Sequence, residues 1–231
     1  MAQLAELPGG HGASAFPLNM RPAVLGIRAH SGWAAGMTVG GVPPDVEVLA
    51  RRRVAIVDAA VVGSNQPYHF ASEMELSEAD HYLAQCAAIA QKLASAGISS
   101  IVAECESRGF RVSACAILAA SARPLPPLPE ILAAHTLIHT AEGEFFRDAF
   151  ARACSALSIP VTRLREKELD AFGREHFGVL ATQMQDRIAH QGKILGPPWT
   201  QDQKLATFAA SLVLAGLCSS AYSKSPAASL D

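Results

Sequence analysis

A chain of 231 residues, 50% hydrophobic and 17% charged, is long enough to bury a sizeable core as one large domain or two small ones. Nineteen basic against 21 acidic side chains leave a net charge of -2, so no chain-wide field exists to hold a polyanion, and net charge does not favour a nucleic-acid partner. Cys86, Cys105, Cys115, Cys154 and Cys218 show no paired or metal-type spacing and read as buried reduced thiols, which fits a cytoplasmic location.

Residues 1–20, with Pro8, Gly9, Gly10, Gly12 and Pro17, read as a flexible leader without the charged start and apolar run of a signal peptide. No stretch reaches the roughly 20 apolar residues that span a bilayer, so no membrane partner is expected. Residues 21–218 form the expected single domain, and 219–231 a flexible tail.

Residues 24–30, 33–39 and 46–57 are rich in β-branched and small apolar side chains and are separated by short Gly or Pro turns, the pattern of a three-strand antiparallel meander. Helical spacing follows from Ser77 to Ala96, through Leu83, Cys86, Ala87, Ala90, Leu93 and Ala94, with Ser77 as N-cap and Asp80 at N3. Gly97 then interrupts, and residues 99–108 read as a second short helix. Residues 112–120 are apolar almost throughout, as in a strand buried on both faces at the centre of a sheet.

A proline-rich loop, 124–129, leads to a short helix over 130–134. A stronger helix over 141–157 turns Phe145, Phe146, Ala149, Phe150, Ala153, Cys154 and Leu157 inward. Residues 160–164 supply a last short strand. Helices over 174–189 and 200–217, divided by Gly196, Pro197 and Pro198, complete the chain.

This element order gives an α/β fold: a mixed five-stranded sheet, three antiparallel strands plus two parallel ones, flanked by helices. Gly26-Ile27 followed by Gly32-Trp33 is similar to the Gly-Ile-Asp-Pro-Gly and Gly-Trp opening of Holliday-junction resolvases. On these residues and the element order, the chain resembles the ribonuclease-H-like superfamily.

That resemblance implies carboxylates holding two magnesium ions on the first strand, on the first parallel strand, and near the start of the last helix. Here the first-strand position is Arg28, and residues 112–120 contain no acid. When the final-helix pattern is laid on Leu205-Ala206, its acidic positions fall on Thr200 and Gln203, with Asp202 one residue away. Two-metal nuclease activity is therefore not expected, the active site reads as degenerate, and no metal or cofactor is assigned.

The turns after the parallel-running strands meet at one sheet edge, where layered α/β proteins bind ligands. His30 and Ser31 belong to that edge, as do Asn65, Gln66, Tyr68, His69 and Glu73, and Ser121, Arg123, His135, His139, Thr140 and Glu142. Strand alternation puts Arg28 and His30 on one face with Val24 and Gly26. Four of the eight histidines are thus expected to meet.

Each candidate has a structural alternative. His135 and His139 share a face only if their stretch is helical, whereas Thr140 as an N-cap would start the helix after them. His135, His139 and Glu142 as metal ligands, or the helix start as an anion site, are the functional readings, and neither has a diagnostic spacing. Arg28 requires an acid or an anionic ligand, with Glu73 or Glu142 as its structural partners. Arg51, Arg52 and Arg53 read as a solvated edge-strand face, and Trp199 as a lid or an anchor between helices.

Two functions remain. One is a domain that binds a ligand or partner through Arg28, Asn65, Ser121, Arg123, His135, Thr140 and Glu142. The other is a hydrolase or phosphotransferase acting on a phosphorylated small molecule or nucleic acid, with Arg28 and Arg123 holding the anion and His30, His69 or His139 transferring protons.

Overall fold

The computed structural model describes residues 20–120 and 124–223, with side chains as far as residue 218. Strands β1 (Arg21–His30), β2 (Trp33–Val42) and β3 (Asp45–Ala55) form the meander, and β4 (Phe110–Ala119) and β5 (Val161–Arg165) extend it into one sheet of order β3-β2-β1-β4-β5. β1 runs antiparallel to β2, with His30 opposite Trp33, and parallel to β4, with Leu25 opposite Cys115. β5 runs parallel to β4. The mixed five-stranded α/β sheet is therefore the one the sequence pattern implies.

Helices cover both faces. Leu25 and Ile27 of β1 point into a core shared with α2 (Leu76–Ser107) and α4 (His135–Ala156), which supply Ala94, Ile98, Phe146 and Phe150. The alternate residues face α7 (Gln201–Ser223), where Val24 packs with Ala210 and Leu214. Gly26 lies so close to α7 that a Cβ there would strike the Ala206 carbonyl. Small residues let the helix backbone settle directly on the strand.

α2 is one helix of 32 residues, where the sequence suggested two. Gly97 sits within it because a Cβ at that position would run into Val54 of β3. A mid-helix glycine costs about 1 kcal/mol, whereas the unbroken stripe Ala90, Ala94, Ile98, Ile101 and Cys105 is buried almost completely. Each large side chain buried this way contributes about 1.5–3 kcal/mol, so packing decides the outcome. The helix begins after Glu75, which places Ser77 inside its first turn rather than at the N-cap.

By length and composition α2 is also apolar enough to cross a membrane, with a mean hydropathy of 1.4 over its best window. Its inward stripe is core of the sheet domain.

The expected helix over 174–189 is two, α5 (Leu169–Phe177) and α6 (Val179–Leu195), divided at Gly178 with φ +53°. α7 continues to Ser223, so the first residues of the expected tail are helical. A short helix, α3 (Leu128–Leu132), precedes α4.

The arginine run on edge strand β3 is tied down rather than simply solvated. Arg51 donates to the Gly196 and Pro198 carbonyls at 2.9 and 2.8 Å, Arg52 pairs with Glu104 at 2.6 Å, and Arg53 lies over the Trp33 ring. Trp199 is an anchor. Its Nε1 donates to the Ile188 carbonyl at 3.1 Å, and its ring fills the space that a side chain on Gly192 would need. All five cysteines are free, and burial pushes the Cys86, Cys105 and Cys218 thiols up.

Candidate functional site

Arg28 emerges near the end of β1 on the α7 side. Its guanidinium takes Glu166 in a two-point grip, Nε to Oε2 at 3.0 Å and Nη2 to Oε1 at 2.9 Å, and Nη1 donates to Asp202 Oδ1. Glu166 stands directly after β5, and Asp202 in the first turn of α7. His30 Nε2 lies 3.1 Å from Arg28 Nη1 and 3.2 Å from Asp202 Oδ1, and the ring stacks on Trp33 with centroids 4.5 Å apart. The Glu166 hydrogen bonds, opposed by burial, hold the Arg28 pKa above its ordinary value.

These partners correct the expectation of Glu73 or Glu142. Glu73 is exposed, and Glu142 is engaged on another helix. Both carboxylates that reach the end of β1 are held by one cation.

On the other side of this edge, α4 starts earlier than its sequence suggests. Thr140 does not cap it: the hydroxyl donates to the Thr136 carbonyl at 2.9 Å, one turn back inside the helix. The extra turns form because Ile131, Ile138 and Ala141 bury together with Leu137 and Tyr68 packed against them. Tertiary packing thus overrides the cap. Helical geometry then puts His135, His139 and Glu142, at i, i+4 and i+7, on one stripe.

α1 (Pro67–Ala71) docks on that stripe, with Tyr68 edge-on to Phe145 at 6.1 Å. His69 meets His139 with ring centroids 4.6 Å apart and His135 at 5.3 Å, while His135 and His139 are 4.4 Å apart. One ring nitrogen from each lies within 4.8 Å of the others. Glu142, only 4% exposed, accepts the His69 backbone N–H at 3.2 Å and brings Oε1 to 2.9 Å from His69 Nδ1. That second approach is off hydrogen-bond alignment, so Nδ1 is a buried polar atom without a hydrogen bond.

Between the two groups lies a cavity of about 250 Å³, lined by Ala29, His30, Ser31, Gln66, His139, Glu142, Gly143, Phe146 and Arg147. Arg147 donates through Nε to the Leu118 carbonyl of β4 at 3.1 Å and pairs with Glu144 at 2.9 Å. Its guanidinium occupies the space beside Gly143.

Of the residues placed at this edge from sequence, His30, Ser31, Gln66, His139 and Glu142 line the cavity, and His69 and His135 adjoin it through His139. Asn65 sits with its side-chain oxygen over Gly32, in the left-handed turn between β1 and β2. Ser121 and Arg123 lie outside the described residues. Arg147 and Glu166 were missed. Neither carried a usable signal: Arg147 is one charge on an amphipathic helix, and the two acids in Arg165-Glu166-Lys167-Glu168 give no hint of a partner.

No protein-family model and no curated protein matches this chain. Among solved structures, Thermus thermophilus RuvC in complex with Holliday junction substrate superposes with a TM-score of 0.50 at 11% identity, over 85% of this chain and 95% of that one. This is a ribonuclease-H-like fold. A Thermus thermophilus RuvC structure gives 0.48 at 10% identity, over 86% of this chain and 96% of that one. In this ribonuclease-H-like chain the first strand carries Arg28 where the resemblance implied a carboxylate, β4 carries no acid, and the described residues show no free carboxylate cluster at their ends.

Proposed function

We propose that this protein is a ligand-binding ribonuclease-H-like domain whose nuclease centre is degenerate, and that its ligand is a small polar molecule held in the cavity at the end of β1. The observation that carries the reading is Arg28, because its guanidinium already pairs with both Glu166 and Asp202. A pair of magnesium ions needs free carboxylate oxygens, and a cation at their centre repels them.

The cavity supports the binding half of the proposal. Its lining combines imidazole, hydroxyl, amide, carboxylate and guanidinium groups at the carboxyl end of a parallel strand pair, where α/β sheets receive ligands. His30 belongs both to this lining and to the Arg28 cluster, so occupation of the cavity is felt at Asp202. In this reading His30, His139 and Glu142 contact the ligand, Asn65 supports the turn beside it, and Arg28 positions His30 rather than receiving an anion. The hydrolase reading retains His30, His69 and His139 but has Arg28 committed to two acids.

Two measurements on the full chain test this. A thermal-shift panel of nucleotides, sugar phosphates and dicarboxylates is expected to give a stabilising compound whose effect disappears in Arg147→Ala and His30→Ala. A four-way DNA junction with magnesium or manganese is expected to remain uncut. Cleavage lost on Asp202→Asn overturns the degenerate-centre reading, and a panel without any stabilising compound overturns the cavity reading.

A further inference from the structure

We propose that His69, His135 and His139 form a binding site for one divalent transition-metal ion of the zinc class. The inference goes beyond the cavity reading and does not require that cavity to hold a ligand. Three imidazoles from two separately placed helices bring one nitrogen each within 4.8 Å of the others. Tetrahedral zinc with metal–nitrogen distances of about 2.0–2.1 Å needs nitrogens about 3.4 Å apart, so modest rotation of the rings closes the site. His135 and His139 are exposed and have the room to rotate.

The donor set selects the ion. Neutral imidazole suits zinc, copper, nickel and cobalt, whereas magnesium and calcium take oxygen ligands, of which this cluster has none among its three donors. Three protein ligands leave a fourth position open. His139 also lines the cavity, so the metal site adjoins that space.

Glu142 supplies an independent indication. Metal-bound histidines almost always direct their second nitrogen to a carboxylate or carbonyl, which fixes the ring and raises its basicity. Here Glu142 is buried with Oε1 2.9 Å from His69 Nδ1, and Nδ1 has no hydrogen bond. A small turn of the imidazole aligns Nδ1–H on Glu142 and leaves Nε2 for the metal. Neither His135 nor His139 is tied by a side-chain hydrogen bond or ion pair to another described residue, so both are free to ligate.

The test uses the full-length, tag-free chain, treated with chelator and then titrated with zinc, cobalt and magnesium ions by calorimetry and equilibrium dialysis. The expected result is one zinc per chain, competition by cobalt with the visible absorption of a tetrahedral site, and no response to magnesium. His135→Ala and His139→Ala, both exposed positions, are expected to abolish binding, while His81→Ala and His190→Ala leave it intact. Glu142→Gln is expected to weaken binding about 10–100-fold. Arg147→Ala leaves zinc binding intact even where it abolishes ligand binding in the cavity, which separates the two proposals. Absence of saturable zinc binding, or binding that survives both His135→Ala and His139→Ala, overturns the site.

Discussion

Arg28 and Asp202 stand 174 residues apart in the chain and share a hydrogen bond at the end of the central strand, with His30 against both. Because Glu166 closes on the same guanidinium, β1, the turn after β5 and the start of α7 are fastened at one point. Arg28→Ala leaves two carboxylates facing one another without a cation. With the Arg28 side chain 22% exposed, the expected loss is about 1–3 kcal/mol, measured by urea unfolding.

The pH dependence has a definite sign. A guanidinium whose folded pKa is raised contributes stability that is fully present below its ordinary, strongly alkaline value and is lost only as pH rises past the folded value. Arg28→Ala should therefore cost the same stability at neutral and at moderately alkaline pH, compared in urea titrations at both.

Arg28→Asp tests how the cluster relates to divalent cations. The substitution gathers three carboxylates with Glu166 and Asp202, whose mutual repulsion lowers the melting temperature. Magnesium is expected to restore part of the loss in this variant and to have no effect on the unsubstituted chain, as read by thermal unfolding with and without the ion.

Gly26→Ala addresses the contact between β1 and α7. The added methyl meets the Ala206 carbonyl, so α7 must lift from the sheet, at an expected cost of about 1–3 kcal/mol. Hydrogen exchange is expected to accelerate along α7 more than along α2, since α2 packs on the opposite face.

Glu142→Gln removes a buried charge from beside His69 and weakens the hold of α4 on α1. The expected destabilisation is about 1–3 kcal/mol, with faster exchange of the His69 amide. Unchanged exchange there would show that Tyr68 against Phe145 is sufficient to dock α1.

The sheet was legible because strand periodicity is local: Val24, Gly26 and Arg28 against Leu25 and Ile27 records both faces of β1 in consecutive residues. The helix boundaries were less so. Gly97 and Thr140 carry the local marks of a break and a cap, and both lie within helices because Val54, distant in sequence, and Ile131, on the preceding short helix, give the longer helix something to pack on. Of the four histidines expected to meet, His69, His135 and His139 come together, which required α4 to begin at His135, whereas His30 stands across the cavity with Asp202 and Trp33. Glu166 was out of reach as a partner of Arg28, since 138 residues separate them and no spacing rule extends that far, whereas Asp202 already stood beside the last-helix position that the resemblance implied.

The close seat of α7 on Gly26 also bears on how the chain matures. Val24, Val39 and Ala114, from three different strands, are covered by Ala210 and Leu214 of α7, which is synthesised after every strand of the sheet. Until residues near 214 have left the ribosome, one face of an otherwise complete sheet is bare, and its apolar side chains are open to non-native association. Docking of α7 is therefore a long-range step, which favours slow closure. Newly made or truncated chains lacking α7 are the species most in need of a chaperone.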